Sequence, residues 1–223
     1  MKGEGKARVK NERPRFLKRS LVFDFDGTIA DTLDRGLEIY NELAAEHGFL
    51  PVDPDDIVEL RDMDTSEILR RLQIPPRRVP LLLATALRRL HGNITRLALI
   101  EGMTEAITAL HRQRRLLGIL SSNTPGNVNA FLQSHGLRDH FTFIHSLGKL
   151  GGKSRGLQKI MKKHSLAPEE LLYVGDELRD LRAARRANVA AVAVTWGLNS
   201  RTSLAQANPA YLLDHPGELL QLP

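Results

Sequence analysis

The stretch LVFDFDGTIADT, residues 21–32, decides the fold of this chain. An apolar run, Leu21–Phe23, passes into two aspartates, Asp24 and Asp26, and stops at Gly27. Such a run is typical of a buried parallel strand that meets a tight turn. The two carboxylates then lie on one side at the carboxyl end of the strand, where open α/β sheets bind ligands. The alternative is an ordinary solvated junction between strand and loop, because aspartate is common in turns.

Size and composition fit one α/β domain with a small insertion. The chain has 223 residues, and 42% of them are hydrophobic. No uncharged apolar run approaches the roughly 18 residues that a membrane span needs, and the N-terminus has no apolar signal segment. The absence of cysteine excludes disulfides, thiolate metal sites and a cysteine nucleophile. We therefore expect a soluble, cytoplasmic protein without a membrane partner.

The positive charge is concentrated in residues 1–19, which hold eight lysines and arginines and two glutamates. The whole chain carries +6, so the remainder is neutral. A basic tail can contact nucleic acid through its phosphates. A solvated, poorly ordered terminus is the commoner case, and the single aromatic residue of the tail, Phe16, does not make a base-reading module. We expect a disordered tail and no nucleic-acid partner.

Short apolar runs alternate with helical periodicity from residue 116 onward. Strands are predicted for LLGILS (116–121), FTFIHS (141–146), LLYVGD (171–176), VAAVAVTWG (189–197) and YLLD (211–214). Thr124-Pro125 opens one helix as an N-cap followed by proline, and Asn188 closes another in a left-handed conformation. This alternation predicts an α/β core, residues 20–32 and 98–223, with a parallel sheet and helices on both faces.

Residues 33–97 show helical patterns without strands. LDRGLEIYNELAAEHG (33–48) and VPLLLATALRRLH (79–91) are amphipathic, and Asp64-Thr65-Ser66-Glu67 is a capping sequence for the helix ILRRL. Prolines separate these segments. We interpret residues 33–97 as a small all-helical cap inserted after the first strand.

Polar residues follow three later strands of the predicted core. Ser121, Ser122 and Asn123 end the run LLGIL, Lys153 lies in GKLGGKS, and GDELRD carries Asp176 and Asp180. A parallel sheet brings all these strand ends to one edge. Carboxylates about 4 Å apart repel by roughly 4 kcal/mol even at a dielectric near 20, so the cluster favours a hard divalent cation such as Mg²⁺. With Lys153, such a cation would neutralise a phosphoryl group.

DFDGT, SSN, the downstream lysine and GDELRD, in that order, resemble the haloacid dehalogenase superfamily from about Ser20 to the C-terminus. The resemblance implies a Rossmann-like core and a phosphoryl-transfer site. The catalytic residues that it implies are Asp24 as nucleophile, Asp26 as general acid and base, Ser121 and Lys153. Mg²⁺ would be held by Asp24, the carbonyl of Asp26, Asp176 and Asp180. The phosphate would contact Ser121, Ser122, Asn123, Lys153 and Gly27. Lys149 is a rival for the lysine position, and Lys153 is preferred because it opens the following helix.

The resemblance also narrows the reaction. An acid two residues after the nucleophile, here Asp26, marks the phosphatases and phosphomutases of the superfamily. The insertion after the first motif is similar to the helical cap of its phosphoglycolate phosphatase and β-phosphoglucomutase branch. We expect a Mg²⁺-dependent phosphatase of a small phosphorylated metabolite, phosphoglycolate-like, that works through an aspartyl-phosphate. The alternatives are a sugar phosphomutase and a non-catalytic module that binds through its basic tail.

Two side chains are left with open roles. Arg61, in the helical segment, could take a substrate carboxylate by bidentate hydrogen bonds or could belong to an ordinary loop before a helix. Trp196 could line the mouth of the site or pack beneath the edge of the sheet. The physiological substrate and the oligomeric state are not specified by the sequence.

Overall fold

The computed structural model describes residues 20–92, 94–147 and 152–223. The predicted basic tail, residues 1–19, and the rival lysine Lys149 lie outside these ranges. Eight strands are present in the described part: β1 (Ser20–Phe23), β2 (Ala30–Asp31), β3 (Ala98–Leu99), β4 (Leu117–Ser121), β5 (Phe143–Ser146), β6 (Leu171–Gly175), β7 (Ala190–Val194) and β8 (Tyr211–Leu213). Six form one parallel sheet in the order β5-β4-β1-β6-β7-β8, and β2 pairs antiparallel with β3. The α/β fold class is confirmed.

Strand β1 lies inside the sheet, between β4 and β6, and all of its residues are buried. Val22 is opposite Gly118 of β4 on one side and Tyr173 of β6 on the other. Leu21 and Phe23 pack in the larger core, and Val22 packs in a second core on the opposite face. The alternation of side chains along a strand explains why one short apolar run contributes to both layers.

Nine α-helices complete the described structure: α1 (Leu33–His47), α2 (Ile57–Leu60), α3 (Thr65–Arg71), α4 (Val79–His91), α5 (Met103–Arg112), α6 (Pro125–Ser134), α7 (Lys153–His164), α8 (Leu178–Ala187) and α9 (Arg201–Gln206). The predicted caps are confirmed where their contacts are visible. Thr124 accepts a hydrogen bond from Asn127 N at the start of α6, and Asn188 ends α8 with φ 59°. No helix among the described residues has the length and apolar character of a bilayer span.

The helices α1 to α4 fall within the segment that the sequence analysis interprets as a cap. They share a small cluster of their own around Val52, Leu72 and Ile74. The predicted capping box at Asp64 is confirmed: its side chain accepts from Ser66 N and Glu67 N, and Glu67 accepts from Asp64 N. The ribbon β2–β3 lies where the chain enters and leaves this segment.

Some predicted bounds differ from the structure. The strand predicted for 189–197 ends at Val194, and residues 195–200 form a turn toward the helical segment. The strand predicted for 141–146 begins only at Phe143. Helix α5 and the ribbon β2–β3 were not predicted from the sequence.

Candidate active site

Asp24 and Asp26 lie at the carboxyl end of β1, as expected. Asp24 is 4% exposed, and its backbone N–H donates to Val174 O at 2.8 Å. Asp26 is half-buried in the turn that follows. Gly27 makes this turn with φ 76°, and a Cβ at this position would lie 2.5 Å from Asp176 Oδ2. Glycine is therefore required both for the left-handed backbone and for the close approach of the turn to Asp176.

Three of the predicted metal ligands meet at this edge of the sheet. Asp24, Asp176 and Asp180 are buried, and each offers a carboxylate oxygen within 4.8 Å of the others. Asp24 directly follows β1, Asp176 directly follows β6, and Asp180 lies in the first turn of α8. Among the described residues the group consists of these three side chains, and the Asp26 carbonyl stays a prediction as a further ligand. Oxygen donors at this spacing fit a hard divalent cation.

Lys153 connects two of these carboxylates. It is the first residue of α7, it is buried, and its Nζ donates to Asp24 Oδ2 and to Asp180 Oδ1. Asp180 also accepts from the Tyr173 hydroxyl at 3.2 Å and from Glu177 N at 3.2 Å. Both oxygens of Asp180 are thus engaged by protein donors, and the side chain holds Lys153 against Asp24.

Asp176 is held by two donors from different parts of the chain. Thr28 Oγ1 donates to Oδ1 at 2.7 Å, and Leu198 N donates to Oδ2 at 2.8 Å. Each oxygen retains a lone pair, because a carboxylate oxygen can accept more than one bond. Thr28, Leu198 and Tyr173 were missed by the sequence analysis. Thr28 belongs to the DFDGT motif and could have been found, whereas the other two contacts depend on the tertiary fold.

The electrostatics of the cluster favour a bound cation. Burial, with the charges of Asp180 and Asp176, raises the pKa of Asp24 to about 8 against the opposing effect of Lys153. Burial, with Glu177 and Asp180, raises the pKa of Asp176 to about 7. For Lys153, burial works against the charged form, but Asp24 and Asp180 outweigh it and the pKa is raised. A positive charge beyond that of Lys153 would stabilise the ionised carboxylates.

The serine and asparagine predicted to bind phosphate lie where β4 ends. Ser121 is buried, and its Oγ accepts from Asn123 N at 2.9 Å, which leaves its hydroxyl hydrogen available to donate. Asn123 Oδ1 accepts from Thr124 N and Asn127 Nδ2, whereas its buried Nδ2 has no partner among the described residues. Ser122 is exposed. A buried N–H without a partner fits a phosphate oxygen.

Arg61 and Trp196 contact the turn that leaves β7. Arg61, at the end of α2, donates through Nε to Leu198 O and through Nη2 to the carbonyls of Thr195 and Gly197, at 2.8–3.0 Å. Its guanidinium therefore joins the helical segment to the core. Trp196 packs against the larger core, and its Nε1 donates to Thr28 O at 3.1 Å.

Comparison with known proteins agrees with this geometry. The family model described as haloacid dehalogenase-like hydrolase matches residues 21–194. A phosphoglycolate phosphatase of Synechococcus elongatus is 38% identical over 203 residues, which cover 91% of this chain and 96% of the relative. The pyrophosphatase PpaX of Listeria innocua is 23% identical over 209 residues, 91% and 95% of the two chains.

A solved structure supports the fold. The haloacid dehalogenase-like hydrolase from Streptococcus pneumoniae superposes with a TM-score of 0.77 at 19% identity, over 92% of this chain and 97% of its own. The family model spans most of the described core, including the residues of the acidic cluster. The chain therefore belongs to the haloacid dehalogenase-like hydrolase family, as the motifs of its sequence predicted.

Proposed function

We propose that this protein is a Mg²⁺-dependent phosphatase of a small phosphomonoester and that it works through an aspartyl-phosphate on Asp24. The observation that carries the proposal is the buried cluster of Asp24, Asp176 and Asp180, with Lys153 bound to two of its members. The name of the relative from Synechococcus elongatus supports a phosphatase and makes phosphoglycolate the first substrate to assay.

In this proposal Asp24 is the nucleophile. Lys153 binds Oδ2 of Asp24 and so fixes the orientation of the carboxylate, which leaves the other oxygen to attack phosphorus in line. The P–O bond to the alcohol breaks as the Asp24–phosphorus bond forms. Water then attacks phosphorus, and inorganic phosphate leaves with restoration of the carboxylate.

Asp26 is the proposed general acid and base. Its carboxyl group lies two residues beyond Asp24 and lines a cavity next to the acidic cluster. It would donate a proton to the leaving alcohol oxygen in the first step and accept a proton from the attacking water in the second. The half-buried position allows this exchange with substrate and water.

Asp24, Asp176 and the Asp26 carbonyl are the proposed Mg²⁺ ligands, with Asp180 assisting directly or through water. Bound Mg²⁺ supplies positive charge that offsets the negative charge of the phosphoryl oxygens. Ser121 and Asn123 would donate to those oxygens from the end of β4, joined by Ser122, Lys153 and backbone N–H groups beside Gly27.

Phosphate release is the test of this function. The wild type is assayed on phosphoglycolate, sugar phosphates and p-nitrophenyl phosphate, with Mg²⁺ or with EDTA. We expect release that requires Mg²⁺ and is lost in Asp24→Asn, whereas the control Asp31→Asn, which changes an exposed aspartate of β2, retains it. Absence of release from every substrate, or full activity of Asp24→Asn, would contradict the proposal.

A phosphomutase is the second candidate, because Asp26 beside the cavity can serve either reaction. In a mutase the phosphoryl group passes to a second substrate hydroxyl rather than to water. Activity that depends on glucose 1,6-bisphosphate and forms an isomeric sugar phosphate would identify it. DNA binding that is lost on deletion of residues 1–19 would instead favour a module that acts through its tail.

A further inference from the structure

A cavity of about 320 Å³ lies between the helical segment and the acidic edge of the sheet. Asp26, Gly27 and Asp176 bound it on the side of the core. Most of the remaining wall is apolar and comes from α1, α2, α3 and the residue after α3: Leu37, Tyr40, Ile57, Leu60, Ile68 and Leu72. The size is typical of a small-molecule pocket. Because the cavity begins at the proposed general acid, it is the space that the leaving alcohol of a substrate would enter.

The charges around the cavity disfavour a substrate whose alcohol portion carries a negative charge. Arg61 is the one basic side chain among the described residues that line it, and its Nε and Nη2 donate to three backbone carbonyls of the turn after β7. Three acidic residues, Asp26, Asp176 and Glu177, also line it, so the described lining has no excess of positive charge that would attract a carboxylate. A carboxylate placed against the apolar part of the wall would lose its hydration without gaining a hydrogen-bond donor there, which is costly.

Gly36 extends the cavity into helix α1. It lines the wall, and a Cβ built at this position would meet no atom within 4 Å. Glycine in a helix interior costs about 0.5–1 kcal/mol relative to alanine, so the sequence retains an unfavourable residue at a position where a side chain would protrude into the space. The missing side chain leaves room for apolar atoms of a ligand.

From these three observations we propose that the substrate is a phosphomonoester of an uncharged, apolar alcohol whose carbon chain occupies this cavity. The inference rests on the proposed phosphatase function and adds the substrate class. Such a substrate places its phosphate at Asp24 and Ser121 and its carbon chain against α1, α2 and α3. Phosphoglycolate, with a carboxylate in place of the carbon chain, is then a poorer substrate than an apolar ester.

A series of n-alkyl phosphates tests the proposal, because ethyl, butyl and hexyl phosphate differ in apolar length while their phosphate groups are the same. We expect kcat/KM to rise by up to about fourfold for each methylene that is buried. We also expect hexyl phosphate to exceed phosphoglycolate. Equal kcat/KM along the series, or a preference for phosphoglycolate over hexyl phosphate, would overturn the inference.

Gly36→Leu places a side chain in the cavity and keeps α1 helical, because leucine is a better helix former than glycine. Its kcat/KM for hexyl phosphate should fall by about tenfold or more, while that for ethyl phosphate changes by less than about twofold. Ala45→Leu is the matched control, since Ala45 is an exposed residue of the same helix outside the cavity wall. A similar loss in both variants, or on both substrates, would overturn the assignment of the cavity.

The two proposals fail in different ways. Ethyl phosphate and phosphoglycolate could be hydrolysed in a reaction that requires Asp24, with the same kcat/KM for every alkyl chain length. That result would support the phosphatase function and contradict the apolar substrate class. No hydrolysis of any ester removes both. Circular dichroism and thermal midpoints close to those of the wild type establish that each variant is folded before its kinetics are compared.

Discussion

Gly27 lies in the turn after β1, close to Asp176 of the acidic cluster. The left-handed backbone of Gly27 and the 2.5 Å between its virtual Cβ and Asp176 Oδ2 leave no room for a larger residue. The position of Asp26 depends on the same turn. The absence of a side chain at Gly27 therefore lets the turn that carries Asp26, the proposed general acid, lie close to Asp176, a proposed metal ligand.

Gly27→Ala should therefore impair both stability and activity. We expect kcat/KM to fall by about 100-fold, because Asp176 or the turn must shift by a large fraction of an ångström. The control is Gly48→Ala, which also has positive φ, 71°, but has open space around its virtual Cβ. It should cost about 1–2 kcal/mol of unfolding free energy with unchanged kcat/KM. Equal kcat/KM for the two variants would contradict the role of the close contact.

The carboxyl pKa of Asp176 predicts how the metal-free protein responds to pH. This pKa is about 7 in the folded protein and 3.8 ordinarily, so the folded state binds more protons between these values. The unfolding free energy should therefore fall, by an amount on the order of a few kcal/mol, as pH rises through this window. Asp24, with a pKa of about 8, acts in the same direction. Mg²⁺ should stabilise the protein more at pH 8 than at pH 5.

Thermal midpoints in EDTA and in Mg²⁺, for the wild type and Asp176→Asn, check this prediction. Burial lowers the pKa values of three histidines, His140, His145 and His164. Their protonation therefore destabilises the folded protein as pH falls below 6.5, which opposes the pH dependence expected from Asp176 and Asp24. Because the wild type and Asp176→Asn both contain these histidines, the difference between their thermal midpoints removes the contribution of the histidines. The same pH dependence and the same response to Mg²⁺ in both proteins would show that Asp176 is not a source of the effect.

At the scale of elements, helix α2 and the turn after β7 are joined by an arginine. Arg61 donates to the carbonyls of Thr195, Gly197 and Leu198, and its own carbonyl accepts from Ser200 N. The N–H of Leu198 in turn binds Asp176. The docking of the helical segment and the position of a proposed metal ligand are thus coupled through one short loop.

Arg61→Met should weaken this coupling. We expect kcat/KM to fall by about tenfold and the Mg²⁺ concentration for half-maximal activity to rise, because three carbonyls lose a charged donor. Arg71→Met is the control, since Arg71 makes only exposed ion pairs with Asp56 and Glu59 in the hydrogen bonds and salt bridges of the described structure. It should change kcat/KM by less than about twofold. Titration of Mg²⁺ against both variants measures the difference, and equal curves would refute the coupling.

The elements were predictable where their sequence signals are local. Asp64 and Thr124 mark helix starts, and the apolar runs of β1, β4 and β6 mark buried strands. Helix α5 also carries such a signal, with Met103, Ala106, Ile107 and Leu110 buried at helical spacing, but no prediction was made for it. Strands β2 and β3 have two residues each, too few for a periodic pattern.

At the scale of the whole molecule, the parallel sheet makes the site. Strands β1, β4 and β6 end side by side, so residues as distant in sequence as Asp24 and Asp180 meet at one edge. The candidate residues could be predicted from motif order and sheet topology alone. The partners of Asp176 and Asp180, the docking of Arg61 and the apolar cavity could not, because they depend on packing between segments that are distant in sequence.

The central claim is that Asp24 carries the phosphoryl group during turnover. The most direct measurement is acid quenching of the wild type during turnover with Mg²⁺ and substrate, followed by mass spectrometry of the peptide that contains Asp24. The account predicts a phosphoryl adduct on Asp24 that requires Mg²⁺ and is absent from Asp24→Asn. An adduct on another residue, or turnover without any adduct under conditions where the second step is slowed, would contradict it.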